Sequence, residues 1–310
     1  MADKQATRQA YGEVLVELGA NNKDLVVMDA DLSKSTMTVG FSKAFPERFF
    51  NMGIAEQNMY GVAAGLAASG KTVVASTFAM FATGRAFEII RNSIGYPHLN
   101  VKICATHAGV TVGEDGASHQ AIEDIALMRT IPGMTVLNPS DGVSARKAVE
   151  AAVAMDGPVY VRLGRAAVPI VYDDDMEFEI GKGILVKDGT DVTIVATGIM
   201  VNEAMQAAEK LEAEGVSVRI IDIHTIKPID EEILIKAAKE TKGIVTAEEH
   251  SVIGGLGSAV AEVTAKNAPA KIKMIGIQDR FGQSGKPNQL MEEYNLTADD
   301  IVKACKEILA

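Results

Sequence analysis

Tryptophan is absent from this sequence, aromatic residues make up only 5% of it, and cysteine occurs twice. Cys104 and Cys305 stand far apart in apolar or helical context. They have neither the pairing of a disulfide framework nor the spacing of a zinc site, and both are read as reduced thiols. Basic residues are outnumbered 30 to 41, for a formal net charge of −11. A duplex or an anionic bilayer would repel such a chain, so neither nucleic acid nor membrane is expected as a partner. Nowhere do about eighteen apolar residues run together. The start, MADKQATRQAYGEVL, lacks an apolar core behind a basic segment, so a cytoplasmic protein is expected.

What is present suits a folded α/β protein. The 310 residues are 47% hydrophobic and 23% charged, with 28 glycines, enough chain for about two domains packed through small residues. Short β-rich runs at 24–30, 71–77, 100–106, 134–139 and 157–163 alternate with helical stretches at 56–69, 85–93, 120–130 and 141–155. This rhythm predicts a doubly wound, mostly parallel sheet over residues 1–168. Pro169, the acidic run Asp173-Asp174-Asp175 and the Gly181-Lys-Gly183 segment then read as a linker, 169–188. A second, smaller cycle of the same kind, 189–310, has strands at 192–198, 216–222, 243–249 and 271–277 and helices near 200–214, 230–241, 256–266 and 298–309.

Three segments carry candidate chemistry. The loop Thr106-His107-Ala-Gly-Val-Thr-Val-Gly-Glu-Asp115-Gly-Ala-Ser-His119-Gln120 follows a strand, where α/β proteins place ligand sites. Its two histidines and two carboxylates suit proton transfer or sugar hydroxyls, or they merely cap a helix beginning at Gln120. A metal reading lacks a third well-spaced ligand. In Arg48-Phe-Phe-Asn-Met-Gly-Ile54-Ala-Glu56-Gln-Asn58, Glu56 begins an apolar Ala/Gly-rich helix. A partly buried carboxylate there is either functional or a first-turn residue favoured by the helix dipole. Phe78 and Phe81 close a strand with spacing suited to sandwiching a flat heterocycle or to core packing.

Taken together, these segments resemble the C-terminal half of transketolase: its pyrimidine-binding domain followed by its C-terminal domain. Phe49 to Asn58 is similar to the family's turn bearing the catalytic glutamate, and Gly113-Glu-Asp-Gly-Ala-Ser-His-Gln120 to its GEDGPTHQ loop. IGGLGSAV (253–260) and DRFGQSG (279–285) extend the resemblance over essentially the whole chain. It implies that Glu56 hydrogen-bonds N1′ of the aminopyrimidine of thiamine diphosphate and promotes loss of the thiazolium C2 proton. It further implies that Phe78, Phe81, Asp31 and Ile54 lie at the cofactor, that Asp115 binds a donor hydroxyl, and that His119 contacts substrate and moves protons. His107, Ser35 and Arg165 match a phosphate-holding set, where a planar guanidinium fits phosphate geometry. The family's third aromatic, near Gly84-Arg85, has no counterpart here.

The family holds the cofactor diphosphate through Mg2+ or Ca2+ bound by a Gly-Asp-Gly motif, and these 310 residues contain none. The resemblance therefore implies a partner subunit carrying the diphosphate and metal site, in an α2β2 heterotetramer. The implied activity is transfer of a two-carbon ketol unit between sugar phosphates, as in the pentose phosphate pathway. Beta subunits of 2-oxoacid or acetoin dehydrogenases and 1-deoxyxylulose-5-phosphate synthase are the alternative enzymes, and a non-catalytic binding module is a third class. Gly254-Gly255-Leu-Gly257 reads as close helix–strand packing, and Glu248-Glu249-His250 as a solvated strand end or dimer contact.

Overall fold

The computed structural model describes residues 3–310. The predicted doubly wound architecture is present twice. The first sheet has seven strands in the order Thr225–Lys227, Thr135–Leu137, Val159–Arg162, Val101–Thr106, Thr72–Phe78, Leu25–Asp29, Phe49–Asn51. All pairings are parallel except that of the first-named strand, which runs antiparallel along one edge. The second sheet has five, ordered Ile272–Ile277, Ile244–Ser251, Val192–Ala196, Val218–Asp222, Ile184–Lys187, again parallel except for the last.

The central strands are continuous hydrophobic runs because helices cover both faces. Leu25 to Asp29 and Val101 to Thr106 are buried at every position. The helix Glu56–Ala68 buries Met59, Tyr60, Ala63 and Ala64 and turns Gly61, Val62 and Gly65 outward. The helix Gly142–Ala154 begins at Asp141, whose carboxylate accepts the amide of Ser144 at 2.7 Å, a favoured N-cap. The helix Ala298–Leu309 buries Ile301, Ala304, Cys305 and Ile308 at three-to-four spacing.

Several local expectations are corrected. The helix after the His107 loop spans only Asp124–Arg129, so Gln120 lies in the loop. The stretch 85–93 is not one α-helix: an α-helical turn, Phe87–Ile89, sits between π-helical turns Phe81–Arg85 and Ile90–Gly95. The helices Thr7–Asn21 and Pro287–Glu293 were not anticipated. The segment between the two cycles contains two short strands, Ala167–Pro169, paired with Lys4–Ala6, and Ile184–Lys187, which joins the second sheet.

The two halves share polar and apolar contacts. Thr225–Lys227, from the second half, edges the first sheet, and one continuous core joins Met128 and Ile131 to Leu234, Leu256 and Val260. Glu248, Glu249 and His250 are buried at this junction, which overturns the reading of a solvated strand end. Burial pushes both glutamates up to about 7 and His250 down to about 4. Glu248 accepts the amides of Leu256 and Gly257 at 2.6 and 2.8 Å, so a carboxylate already fills the helix N-terminus after Gly254-Gly255. Arg162 bridges the halves, its Nε 2.7 Å from Asp124 and an Nη donating to the Glu249 carbonyl at 2.9 Å. Cys104 and Cys305 are buried free thiols, pushed up to about 12 by burial. Among the described residues no helix is long and apolar enough to cross a membrane.

Candidate functional site

The candidate residues converge because their strands are parallel and in register, so every C-terminal end opens on one edge of the first sheet. Asp29 pairs with both Asn51 and Ser76, and Phe78 with Thr106. Asp31 and Ser35 follow the first of these strands, Ile54 and Glu56 the second, Phe81 and Arg85 the third, His107 to His119 the fourth. Arg165 leaves the edge just beyond Arg162, the last residue of its strand.

Glu56 is the first residue of its helix and only 2% exposed, more deeply buried than the sequence suggested. Its Oε2 meets the Arg85 Nη1 at 3.0 Å. The same guanidinium lies 5.2 Å over the ring of Phe81, a cation–π distance. Arg85 thus occupies the region where the aromatic expected from the resemblance is missing.

Phe78 and Phe81 lie 5.9 Å apart with planes 18° from parallel. Phe78 also stacks on His107 at 3.9 Å, and both phenyl rings meet His119 edge-on, at 6.3 and 5.4 Å. Each imidazole Nδ1 is bonded to the hydroxyl of the preceding residue: His107 to Thr106 at 2.9 Å, His119 to Ser118 at 3.0 Å. His107 is pushed down to about 3, by burial first and then by the charges of Arg8, Arg165 and His119, so it is neutral at physiological pH.

Those charges reveal a residue that the sequence reading missed. Arg8 donates through Nη1 to the carbonyl of Ser35 at 2.6 Å and through Nε to that of Arg165 at 3.3 Å. Burial and the Arg165 guanidinium hold it below the ordinary arginine range. Two arginines pressed together beside a neutral histidine make a cationic corner in an acidic protein. The signal lay in the Ala-Thr-Arg stretch near the N-terminus, which carried no meaning without the helix Thr7–Asn21. Arg165 is tied to the Val112 carbonyl and lies 3.1 Å from Glu114.

Asp31 and the turn holding Ile54 meet through Asn51. Asn51 Nδ2 donates to the Asp31 carboxylate at 3.1 Å, and its Oδ1 accepts the amides of Asp31 and Gly53 at 3.1 and 3.0 Å. Beneath them Asp29 is fully buried and accepts from the Leu32 amide and the Thr36 and Thr38 hydroxyls at 2.6, 2.6 and 3.0 Å, which fixes the loop bearing Ser35. Ile54 is 78% exposed and Asp115 stands exposed in the turn between Gly113 and Gly116. Both are open to solvent, unlike Glu56 and Phe78.

A buried carboxyl joined through the Arg85 guanidinium to the Phe81 ring brings an acid and aromatic surface to one edge of the sheet, the chemistry that a flat nitrogen heterocycle requires. The arginine pair fits a tetrahedral oxyanion. Among the described residues, no group of three or more His, Cys, Asp or Glu side chains is arranged to hold a metal ion.

Comparisons with known proteins bear on the whole chain. The family model for the transketolase pyrimidine-binding domain matches residues 3–171, and that for the transketolase C-terminal domain matches residues 181–301. A putative transketolase C-terminal section from Methanocaldococcus jannaschii is 56% identical over 303 residues, 97% of this chain and 95% of that protein. A 6-deoxy-6-sulfo-D-fructose transketolase subunit from Clostridium sp. is 42% identical over 97% of this chain and 94% of that one. A solved structure described as a split-gene transketolase in an inactive β4 tetramer superposes with a TM-score of 0.92 at 59% identity, covering 98% of both chains.

Proposed function

The chain belongs to the transketolase family, and from that premise we propose that it is the pyrimidine-binding subunit of a split, thiamine-diphosphate-dependent transketolase that moves a two-carbon ketol unit from a ketose phosphate to an aldose phosphate. The observation that carries this reading is the buried Glu56 carboxyl at a helix start, one guanidinium away from the Phe81 ring. Thiamine diphosphate, when bound, would supply the nucleophilic carbon for ketol transfer.

The chain's own residues prepare that chemistry. Glu56 holds a proton at N1′ of the aminopyrimidine, and its burial keeps water from competing for that proton. Phe78 and Phe81 hold the ring by stacking and apolar contact, with Ile54 and Asp31 at its border. His119 and the neutral His107 turn Nε2 toward the reacting carbonyl and hydroxyls. Among the described residues neither Nε2 makes a protein hydrogen bond, while both Nδ1 atoms are engaged. Asp115 accepts a donor hydroxyl. Arg165, Arg8 and Ser35 hold the terminal phosphate.

The cofactor diphosphate and its Mg2+ or Ca2+ sit on a second subunit, in an α2β2 assembly. In support, the archaeal relative is called a C-terminal section, and the split-gene relative is described as an inactive tetramer of beta chains. The bacterial relative's name adds a point about substrate. Two arginines accommodate a sulfonate as readily as a phosphate, since both present tetrahedral oxygens. The anion corner therefore selects a negatively charged terminal group and sets the reach of the sugar, and the choice between a pentose phosphate and a specialised sugar is made elsewhere in the site.

The test is a ketol-transfer assay on this chain alone and mixed with a subunit carrying the diphosphate-binding domain, given thiamine diphosphate, Mg2+, a ketose phosphate and an aldose phosphate. Activity in the mixture only is the expected result. Activity of this chain alone would remove the two-subunit reading. Decarboxylation of a 2-oxoacid by the mixture, without ketol transfer, would replace transketolase by a dehydrogenase component.

A further inference from the structure

The loop that carries Asp115 and His119 has little internal support. It holds together by turn hydrogen bonds from Gly116 to Gly113 and from His119 and Gln120 to Gly116, at 3.0–3.1 Å, and Glu114, Asp115, Ala117 and Ser118 are exposed. Gln120 at its end is only 2% exposed. Its Nε2 donates backward to the carbonyls of Val110 and Gly113, both at 3.1 Å, and across the domain boundary to that of Gln283, at 2.9 Å. Its Oε1 is buried without a partner, so the amide is held by its donor side alone.

The acceptor side of this joint is anchored beside Phe281. The Tyr294 hydroxyl, on a ring 3% exposed in the second core, donates to the carbonyl of Phe281 at 2.8 Å. Arg280 lies 4.1 Å over that ring and 3.0 Å from Glu293. Gly282 follows, and a Cβ there would overlap the Gln120 amide, coming within 2.9 Å of its Cδ. The backbone can pass this close only because position 282 has no side chain. The motif at 279–285, which the proposed function leaves without a role, is the second-domain half of a clasp on the substrate loop.

We propose that Gln120 is a positioning residue, and that through it the second domain sets where Asp115 and His119 stand relative to Glu56. The inference rests on the transketolase reading of the site and gives the C-terminal domain a part in binding the donor sugar. With the clasp loosened, the loop samples more positions and the donor loses contacts, while Glu56 and the Phe78–Phe81 pair keep their places on the sheet edge and lose only the edge contact of His119.

Two variants test this. Gln120→Glu removes the donor and sets a carboxylate against three carbonyls. Gly282→Ala pushes the amide aside from the other domain without altering the loop. In the two-subunit mixture, Gly282→Ala is expected to raise the KM for the ketose donor about tenfold while kcat changes less than about threefold. Hydrogen exchange on the isolated chain needs no activity, and the hydrogen-bonded amides of Gly113, Gly116 and His119 are expected to exchange about tenfold faster in both variants, with the central strands unchanged. Unchanged exchange in both variants overturns the clasp, and a fall in kcat at unchanged KM overturns its role in donor binding. If the wild-type mixture transfers no ketol unit, the transketolase reading fails by itself, and the exchange rates still decide whether Gln120 orders the loop.

Discussion

Arg85 and Glu56 form an ion pair at 3.0 Å across very different environments: the Arg85 side chain is 52% exposed, the Glu56 side chain 2%. The arginine is therefore half hydrated, while the glutamate relies on it for its only ion-pair partner among the described residues. Removing one partner of a buried pair leaves an uncompensated charge, which costs more than the pair itself contributes. Arg85→Ala is expected to destabilise the isolated chain at pH 7 by about 1–2 kcal/mol, less than for a fully buried pair because Arg85 is half in water. In a Glu56→Gln background the same change should cost less than about 0.5 kcal/mol. Urea unfolding of the four proteins gives the cycle, and equal costs in both backgrounds would show that the pair carries no coupling.

Glu56→Gln also separates chemistry from folding. The amide has the same shape and cannot hold or release the proton at N1′, so kcat/KM of the two-subunit enzyme should fall by about 10²–10⁴. The unfolding midpoint should stay at or above that of the parent, because a buried charge has been replaced by a neutral group. A variant retaining more than about a tenth of the activity would exclude Glu56 as the proton-holding residue.

Much of this site was legible because the chemistry sits in contiguous motifs. Glu56 was readable from a charged residue opening an Ala/Gly-rich apolar helix, and the His107–Gln120 loop from its position after a strand. What escaped was long-range. Arg8 is 157 residues from Arg165, and the pairing of Lys4–Ala6 with Ala167–Pro169 and the hydrogen bond from the Gly164 amide to the Thr7 hydroxyl bring the two together. Arg85 could not be read as a partner of Glu56 because the two stand 29 residues apart on separate elements, with the strand Thr72–Phe78 between them. Gln120 was assigned to a helix that starts four residues later. The periodic signal of that helix is real, but it gives no sign that the preceding glutamine is spent on another domain. Glu248 and Glu249 were misjudged for the same reason, since a strand end looks solvated until the neighbouring domain covers it.

The arginine corner predicts a charge-specific effect. Arg165→Lys keeps the charge and loses the planar fork, so the KM for a phosphorylated donor should rise about tenfold, and adding Arg8→Ala should raise it further. The KM for a small unphosphorylated ketol donor should be nearly the same in all three proteins. Initial-rate measurements with both donor types decide the matter, and an equal rise for the two would place the arginines in the fold rather than at the substrate.

A pH effect is expected from a carboxyl that the site does not use. Asp222 is fully buried at the end of the strand Val218–Asp222, where it accepts from the hydroxyls of Tyr172 at 2.8 Å and Ser140 at 3.0 Å. Burial pushes it up to about 7, and the neighbouring Asp141 adds to the rise against those two hydrogen bonds. In the unfolded chain the same group titrates near 3.9. Between these values the folded state keeps a proton that the unfolded state has released. The contribution of Asp222 to stability is therefore complete below about pH 4 and is lost as the pH rises through about 7. Asparagine at this position does not titrate and its oxygen can accept the same two hydroxyls. The stability of Asp222→Asn relative to the parent should accordingly improve by about 2–4 kcal/mol between pH 4.5 and pH 8, whatever its offset at either end. Titrations of groups that do not interact with Asp222 cancel in this comparison because both proteins share them. Denaturant midpoints of the two chains across that range provide the measurement, and a constant difference would mean that Asp222 is ionised in the native protein throughout.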